Sequence, residues 1–167
     1  MGLIAAVAGP YKGTYNATNI GICSDDGFKL RHTFAQDMVE NSDQYGRTII
    51  EGFYLGGNSY LDFTMLEWTA VLPRLFDPYS ADAGLLFSTA MPISRAMTGL
   101  ALPVVLTATA GTPAATKPAS VTGAQAILAP NFNREILFNP KHRVMPISLL
   151  LLPYDAGGGS IRTFLLT

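Results

Sequence analysis

Phe28-Lys29-Leu30-Arg31-His32-Thr33-Phe34 sets Phe28, Leu30, His32 and Phe34 on one side of the chain and Lys29, Arg31 and Thr33 on the other. That period of two is the pattern of a half-buried strand. Upstream, Asn19 to Cys23 can pair with it through Ser24, Asp25, Asp26 and Gly27, because Asp-Gly supplies the positive φ angles of a tight hairpin turn. A second hairpin is expected from Thr48 through Leu55, turning at Gly56, Gly57 and Asn58 and returning through Tyr60 to Met65. It would place Leu61, Phe63 and Met65 on one face. Two hairpins in the first 65 residues predict a largely antiparallel sheet.

Beyond Thr64 the spacing changes. Met65, Trp68, Leu72 and Leu75 or Phe76 recur at three and four residues, which predicts one short amphipathic helix. Pro73 conflicts with a helix interior, so the helix starts late, kinks or stops before it. Residues 77 to 83 read as a loop. Strands are expected again over Leu85 to Ala90, Leu102 to Ala108, Ala119 to Leu128 and Val144 to Leu152, with Ser94 to Leu100 either helical or a connection. Gly111 to Lys117 is small and polar, an exposed loop or arm tip within 110–119. Leu149 to Leu152 lacks alternation, as a strand covered on both faces would. Gly157 to Ser160 then turns the chain into a last strand, Ile161 to Leu166.

The fold class expected is mainly β: an antiparallel sandwich or barrel with one short flanking α-helix, as a single domain over 1–167. A chain of this length can bury roughly 70% of its unfolded surface. Charged residues make up 14% of it, against roughly 25% in ordinary soluble domains. Such depletion suits an obligate oligomer, whose interface resembles a core cut in half; a tightly packed monomer is the alternative. The net charge of −1 provides no field to recruit nucleic acid or an anionic membrane. Residues 1–82 hold ten acids and five bases and residues 83–167 two acids and six bases, so the halves carry −5 and +4. A head-to-tail assembly could use that difference, unless the halves interleave in space.

Cys23 is the single cysteine, which excludes an intrachain disulfide and a multi-cysteine metal site. The apolar run Leu3 to Ala8 is too short to span a bilayer and lacks the basic start of a signal peptide. Ala6 stands where a myristoylation motif requires Ser or Thr. No membrane anchor is expected. Neither His32 nor His142 has a partnering Asp, Ser or Cys at a recognisable spacing, and no phosphate loop, dinucleotide fingerprint, zinc-protease pair or EF-hand is present. Neither a catalytic residue nor a cofactor is expected. Asp25 and Asp26, with Asp37, Glu40 and Asp43, could hold a hard cation, although Asp before Gly is already explained as turn chemistry. Asn16-Ala17-Thr18 is a formal glycosylation triplet without a secretory signal. Lys141, His142 and Arg143 lack interleaved aromatics and read as a solvated turn or an intersubunit ion pair, not a DNA-reading surface.

The order of features resembles the tail tube proteins of long-tailed bacteriophages. Gly9-Pro10-Tyr11-Lys12-Gly13-Thr14-Tyr15, then Asn19-Ile20-Gly21 and Asp26-Gly27, look like that family's first hairpin. Asp43, Tyr45, Gly46 and Thr48, the Gly56-Gly57 turn, and Leu66-Glu67-Trp68 before the helix continue the likeness. Ala124 to Pro130, Ile136 to Phe138 and Arg143 to Ser148 look like its closing strands. The Thr112 to Pro118 insertion and Pro73 depart from the pattern.

The resemblance implies a virion structural protein of the phage tail, not an enzyme, assembled in the host cytoplasm as homo-hexameric rings stacked into a hollow tube. Strands from six subunits would form a continuous inner barrel, closing their own edges. Implied partners are the tape-measure protein, tail terminator or baseplate proteins, and DNA in transit through the lumen. Pro10, Tyr11, Lys12, Tyr45, Arg47, Thr112, Pro113, Lys117 and Arg143 are the candidate subunit-interface residues. A head-to-tail terminator or completion ring protein is the nearest alternative. A small-ligand-binding β-barrel is a second, and an enzyme built on a cleft joining His32 or His142 to a carboxylate is a third.

Overall fold

Asn16 and Ala17 both have positive φ angles, 49° and 61°, the combination that a two-residue hairpin turn demands. They join β1 (Tyr11–Tyr15) to β2 (Thr18–Asn19), with Tyr15 opposite Thr18. The computed structural model describes residues 11–41, 48–78, 96–109, 118–133, 135, 137–138, 143–157 and 161–167.

The alternating stretch begins β3 (Lys29–Asn41), and its partner is β4 (Thr48–Met65), in register from Lys29–Asp62 to Asn41–Thr48. This corrects both expected hairpins. Asn19 to Cys23 does not pair with 28–34. The turn is formed, with Gly27 at φ 66° and its N–H donating to the Ser24 carbonyl at 2.9 Å. It serves as a jog along one edge of β4: Cys23 bridges Met65, Ser24 N–H donates to Thr64 O, and Lys29 resumes the pairing at Asp62. Gly56-Gly57-Asn58 does not reverse the chain either. Gly56 has φ 112°, and the register slips there, Ala35 facing Gly56 but Gln36 facing Tyr54. Leu55 is the extra residue of a β-bulge, which demands the same backbone freedom as a turn. The reversal between β3 and β4 falls in 42–47, outside the described residues.

The helix is α1 (Leu72–Phe76), which starts late and takes Pro73 into its first turn, where a missing N–H costs nothing. Leu72, Leu75 and Phe76 are buried, whereas Trp68 lies before the helix and is exposed. Met97–Gly99 is a 3-10 turn. The expected strands of the second half appear as β5 (Leu102–Ala108), β6 (Ser120–Leu128) and β8 (Arg143–Leu151), with a short β7 (Leu137–Phe138) before β8. Leu85 to Ala90 and Gly111 to Lys117 lie outside the described residues. The last expected strand is split. Beyond β9 (Tyr154–Asp155), β10 (Ile161–Arg162) pairs back on it across the glycine turn, and β11 (Leu165–Leu166) joins β6.

The fold is mainly antiparallel β. The main sheet runs β2-β1-β5-β6-β8-β4-β3, with β11 on β6 and β7 on β8. Because the segment after β2 reaches the far end of β4 through Cys23 and Met65, the sheet bends round its core. One face supplies that core: Tyr15, Leu61, Phe63, Met65, Val104, Leu106, Met145, Ile147, Leu149 and Leu151, capped by α1. Each large side chain so buried contributes about 1.5–3 kcal/mol relative to exposure. The buried Tyr15 hydroxyl donates to the Ala126 carbonyl at 3.1 Å, which satisfies its polar end. Leu149 and Leu151 are buried and Leu150 half-buried, opposite the fully buried Ile127, so this strand is covered strongly on one face and partly on the other. The pairs β1–β5 and β4–β8 join strands from the two halves of the chain, so the halves interleave within one sheet.

Candidate assembly surfaces

β4 has neighbours on both sides only over part of its length. Ser59 to Met65 pair with β8 and Thr48 to Asp62 with β3, so N-terminal to Ser59 the strand has β3 alone among the described residues. Thr33–Asn41 and Thr48–Asn58 therefore leave the sheet as a two-stranded ribbon, roughly 30 Å long at about 3.3 Å per residue. Such a ribbon is marginal in water without a third strand or a packed face. Phe34, at its root, is 69% exposed. The outer edge of β3 has no strand beside it among the described residues. At the other end of the sheet, β2 covers β1 only at Thr14 and Tyr15.

The register gives the sheet a polarity. Ser59, Leu151, Ala126 and Leu102 lie at one level. Beyond it on the ribbon side come Ser120, Thr107 and Lys12; on the other side come Met65 and Met145, while the Asn16-Ala17 turn lies close to the level itself, Asn16 N–H donating to the Pro103 carbonyl. Tyr11 and Lys12 thus stand on β1 opposite Ala108 and Thr107, at the ribbon end. Lys12 is exposed, and the Tyr11 hydroxyl donates to the Pro118 carbonyl at 2.8 Å. Tyr11 consequently ties β1 to the foot of the segment containing the Gly111 to Lys117 stretch; its hydroxyl is spent inside the chain. Arg143 begins β8 beside Phe138, at the opposite end. Pro10, Tyr45, Arg47, Thr112, Pro113 and Lys117 lie outside the described residues.

At the ribbon root, His32 Nδ1 lies 2.7 Å from Ser59 Oγ, and Ser59 Oγ lies 2.7 Å from Thr163 Oγ1. This relay ties β3, β4 and the C-terminal segment together. It borders a surface cavity of about 410 Å³ lined by His32, Gly56, Gly57, Pro153 and residues 161–164. The charged group in that lining is Arg162, and Ser59 is fully buried, so the His32–Ser59 pair is a structural tie and not a nucleophile with its base. Sequence gave no sign of it, because the three residues are spread over more than 130 positions.

A second cavity, of about 360 Å³, lies over the polar face. There Asp62 accepts from Arg31 Nε at 3.0 Å and from Ser148 Oγ at 2.6 Å, while the Arg31 guanidinium sits 4.8 Å above the Tyr60 ring. Both charges are internally engaged. Asp25 and Asp26 occupy the exposed turn, Asp37 and Glu40 lie far along β3 opposite Phe53 and Ile49, and Asp43 is outside the described residues, so the structure does not gather the acidic residues into one site. No group of three or more metal-ligating side chains occurs among the described residues. Burial pushes the Cys23 thiol up to about 11. No helix among the described residues is long and apolar enough to cross a membrane. No protein-family model matches the chain, and a search of curated proteins returns no match.

Proposed function

We propose that this chain is a self-assembling structural subunit that forms a hollow tube of stacked hexameric rings, as the tail tube proteins of long-tailed bacteriophages do. The observation that carries the reading is the β3–β4 ribbon continuing from an open sheet edge. A two-stranded extension gains stability when a neighbouring copy covers it, and the outer edge of β3, which has no strand beside it among the described residues, is a template for pairing with another chain. A ring satisfies every such edge by closure. The low charge of the chain fits surfaces buried on assembly. The tube serves as a passive conduit in the virion for the tape-measure protein and then DNA, with terminator or baseplate proteins at its ends. Weak phosphate binding favours transit, consistent with the net charge of −1.

The test is negative-stain electron microscopy of the purified chain across a concentration series, paired with size-exclusion chromatography. Hollow filaments or stacked rings are expected. Single rings that never stack would indicate a terminator or completion protein, and a strict monomer at every concentration would sink the assembly reading and favour a small-ligand-binding barrel.

A further inference from the structure

We propose that stacking joins an apolar knob at the C-terminal end of β4 to a socket at the ribbon root, midway along β4, in the next copy; the proposal rests on the tube reading and supplies its axial contact. The knob is Ile22, Leu66 and Trp68, respectively 63%, 38% and 45% exposed. Three bonds hold its two segments side by side: Leu66 N–H to Ile22 O at 2.9 Å, Ile22 N–H to Glu67 Oε2 at 3.2 Å, and Thr69 Oγ1 to Ile20 O at 3.2 Å. The apolar groups are thus presented on a fixed backbone, which lowers the ordering cost of binding. A tryptophan presented in this way is the residue type most often dominant at an interface.

The socket is the 410 Å³ cavity at the ribbon root, walled by His32, Pro153, Ile161 and Phe164. Ile161 is 75% exposed at its rim. Gly57 lines the socket and Leu66 belongs to the knob, so the two features lie roughly 30 Å apart along the strand at about 3.3 Å per residue. Every copy therefore carries both halves of the contact, set apart along β4.

Two further facts select a second copy as the occupant. Glu67 lies within the knob and Arg162 in the socket wall, so the docking surfaces carry opposite charges. A contact between different surfaces of two copies is heterologous, and it propagates into a filament when the rotation between copies does not close.

Thiol cross-linking tests this in a Cys23→Ser background. Ala70→Cys, beside the knob, and Ala156→Cys, beside the socket rim, replace exposed side chains and leave both the core and the docking residues intact. Chains carrying one or the other are mixed, assembled and treated with a short thiol–thiol cross-linker. The expected result is a cross-linked dimer from the mixture and none from either chain alone, with a covalent ladder when both cysteines are on one chain. Arg162→Glu should raise the concentration needed for filaments at least about tenfold, the effect of losing about 1.4 kcal/mol. Filaments that form in micrographs but yield no cross-link would overturn the knob-and-socket contact and leave the tube reading standing. Absence of filaments from the unsubstituted chain at every concentration would overturn both.

Discussion

Gly57 leaves no room for a side chain: an added Cβ would press on the Thr33 carbonyl and stand 2.7 Å from His32 Nε2. The carbonyl belongs to a paired strand and cannot retreat. Gly57→Ala should therefore cost about 1–3 kcal/mol, read as a lower urea midpoint at unchanged slope. The opposite sign is expected at Ala17, whose φ of 61° is one an L-residue enters at a cost. Ala17→Gly should stabilise by about 0.5 kcal/mol, the left-handed strain of about 1–2 kcal/mol less the glycine entropy of about 0.5–1 kcal/mol. Cys23 gives a pH-dependent case. Burial raises its thiol to about 11, so the folded chain holds a proton that the unfolded chain releases sooner. That contribution is complete below the ordinary thiol pKa and is lost as pH rises through about 11. The alkylation rate of the folded chain should accordingly climb towards about pH 11, tenfold per pH unit. At this scale the sequence did not show that Asn16-Ala17 was the first hairpin turn, because alanine gives no signal for positive φ.

Strands were more legible than their pairings. The alternation in 28–34 and the Leu61, Phe63, Met65 face were readable because burial on one side of a strand imposes a period of two. Gly56-Gly57 was misread as a reversal because a bulge and a turn make the same local demand; only the register against β3 separates them. The helix was legible only in its second half: Leu72, Leu75 and Phe76 are its buried face, but Met65 belongs to β4 and Trp68 lies exposed before the helix, and Pro73 marked its first turn as it could have marked an end. For the ribbon, hydrogen exchange supplies the prediction. In dilute solution the amides of residues 36–41 and 48–56 should exchange faster than those of Ser59 to Met65, which are flanked by β3 or Ser24 and by β8. In assembled material the ribbon amides should become at least about tenfold slower, as a covered third edge would make them. Equal protection in both states would argue against burial of the ribbon on assembly.

Tyr11 and the foot of the 111–117 stretch meet within one chain, through the Tyr11 hydroxyl and the Pro118 carbonyl, which is not the contact between subunits expected of them. The knob, the socket and the His32–Ser59–Thr163 relay were not legible in the sequence, since they form from segments separated by long stretches of chain and no local pattern encodes them. For the whole molecule the C-terminal strand matters as much as the core. Ser120 and Thr167 exchange backbone hydrogen bonds at 2.9 and 3.0 Å, with Leu165 and Leu166 opposite Thr122 and Val121. Ending the chain at Phe164 removes that cover from β6. It should lower the melting temperature by at least about 2–4 °C, the shift for each 1 kcal/mol in a domain of this size, by differential scanning calorimetry.

The central position of β4 also imposes an order in time. Its β3 partner precedes it closely in the chain, but its β8 partner does not: Met65 meets Met145 and Ser59 meets Leu151, 80 and 92 residues later. β1 waits similarly for β5. During synthesis the ribbon is therefore the first long pairing available, and the inner side of β4 stays open until nearly the whole chain has emerged. Closing such distant pairs is slow, and an unfinished chain exposes the strand edges most prone to joining a neighbour prematurely. On the tube reading proposed above, such a subunit meets its greatest risk of wrong association before its own sheet is complete.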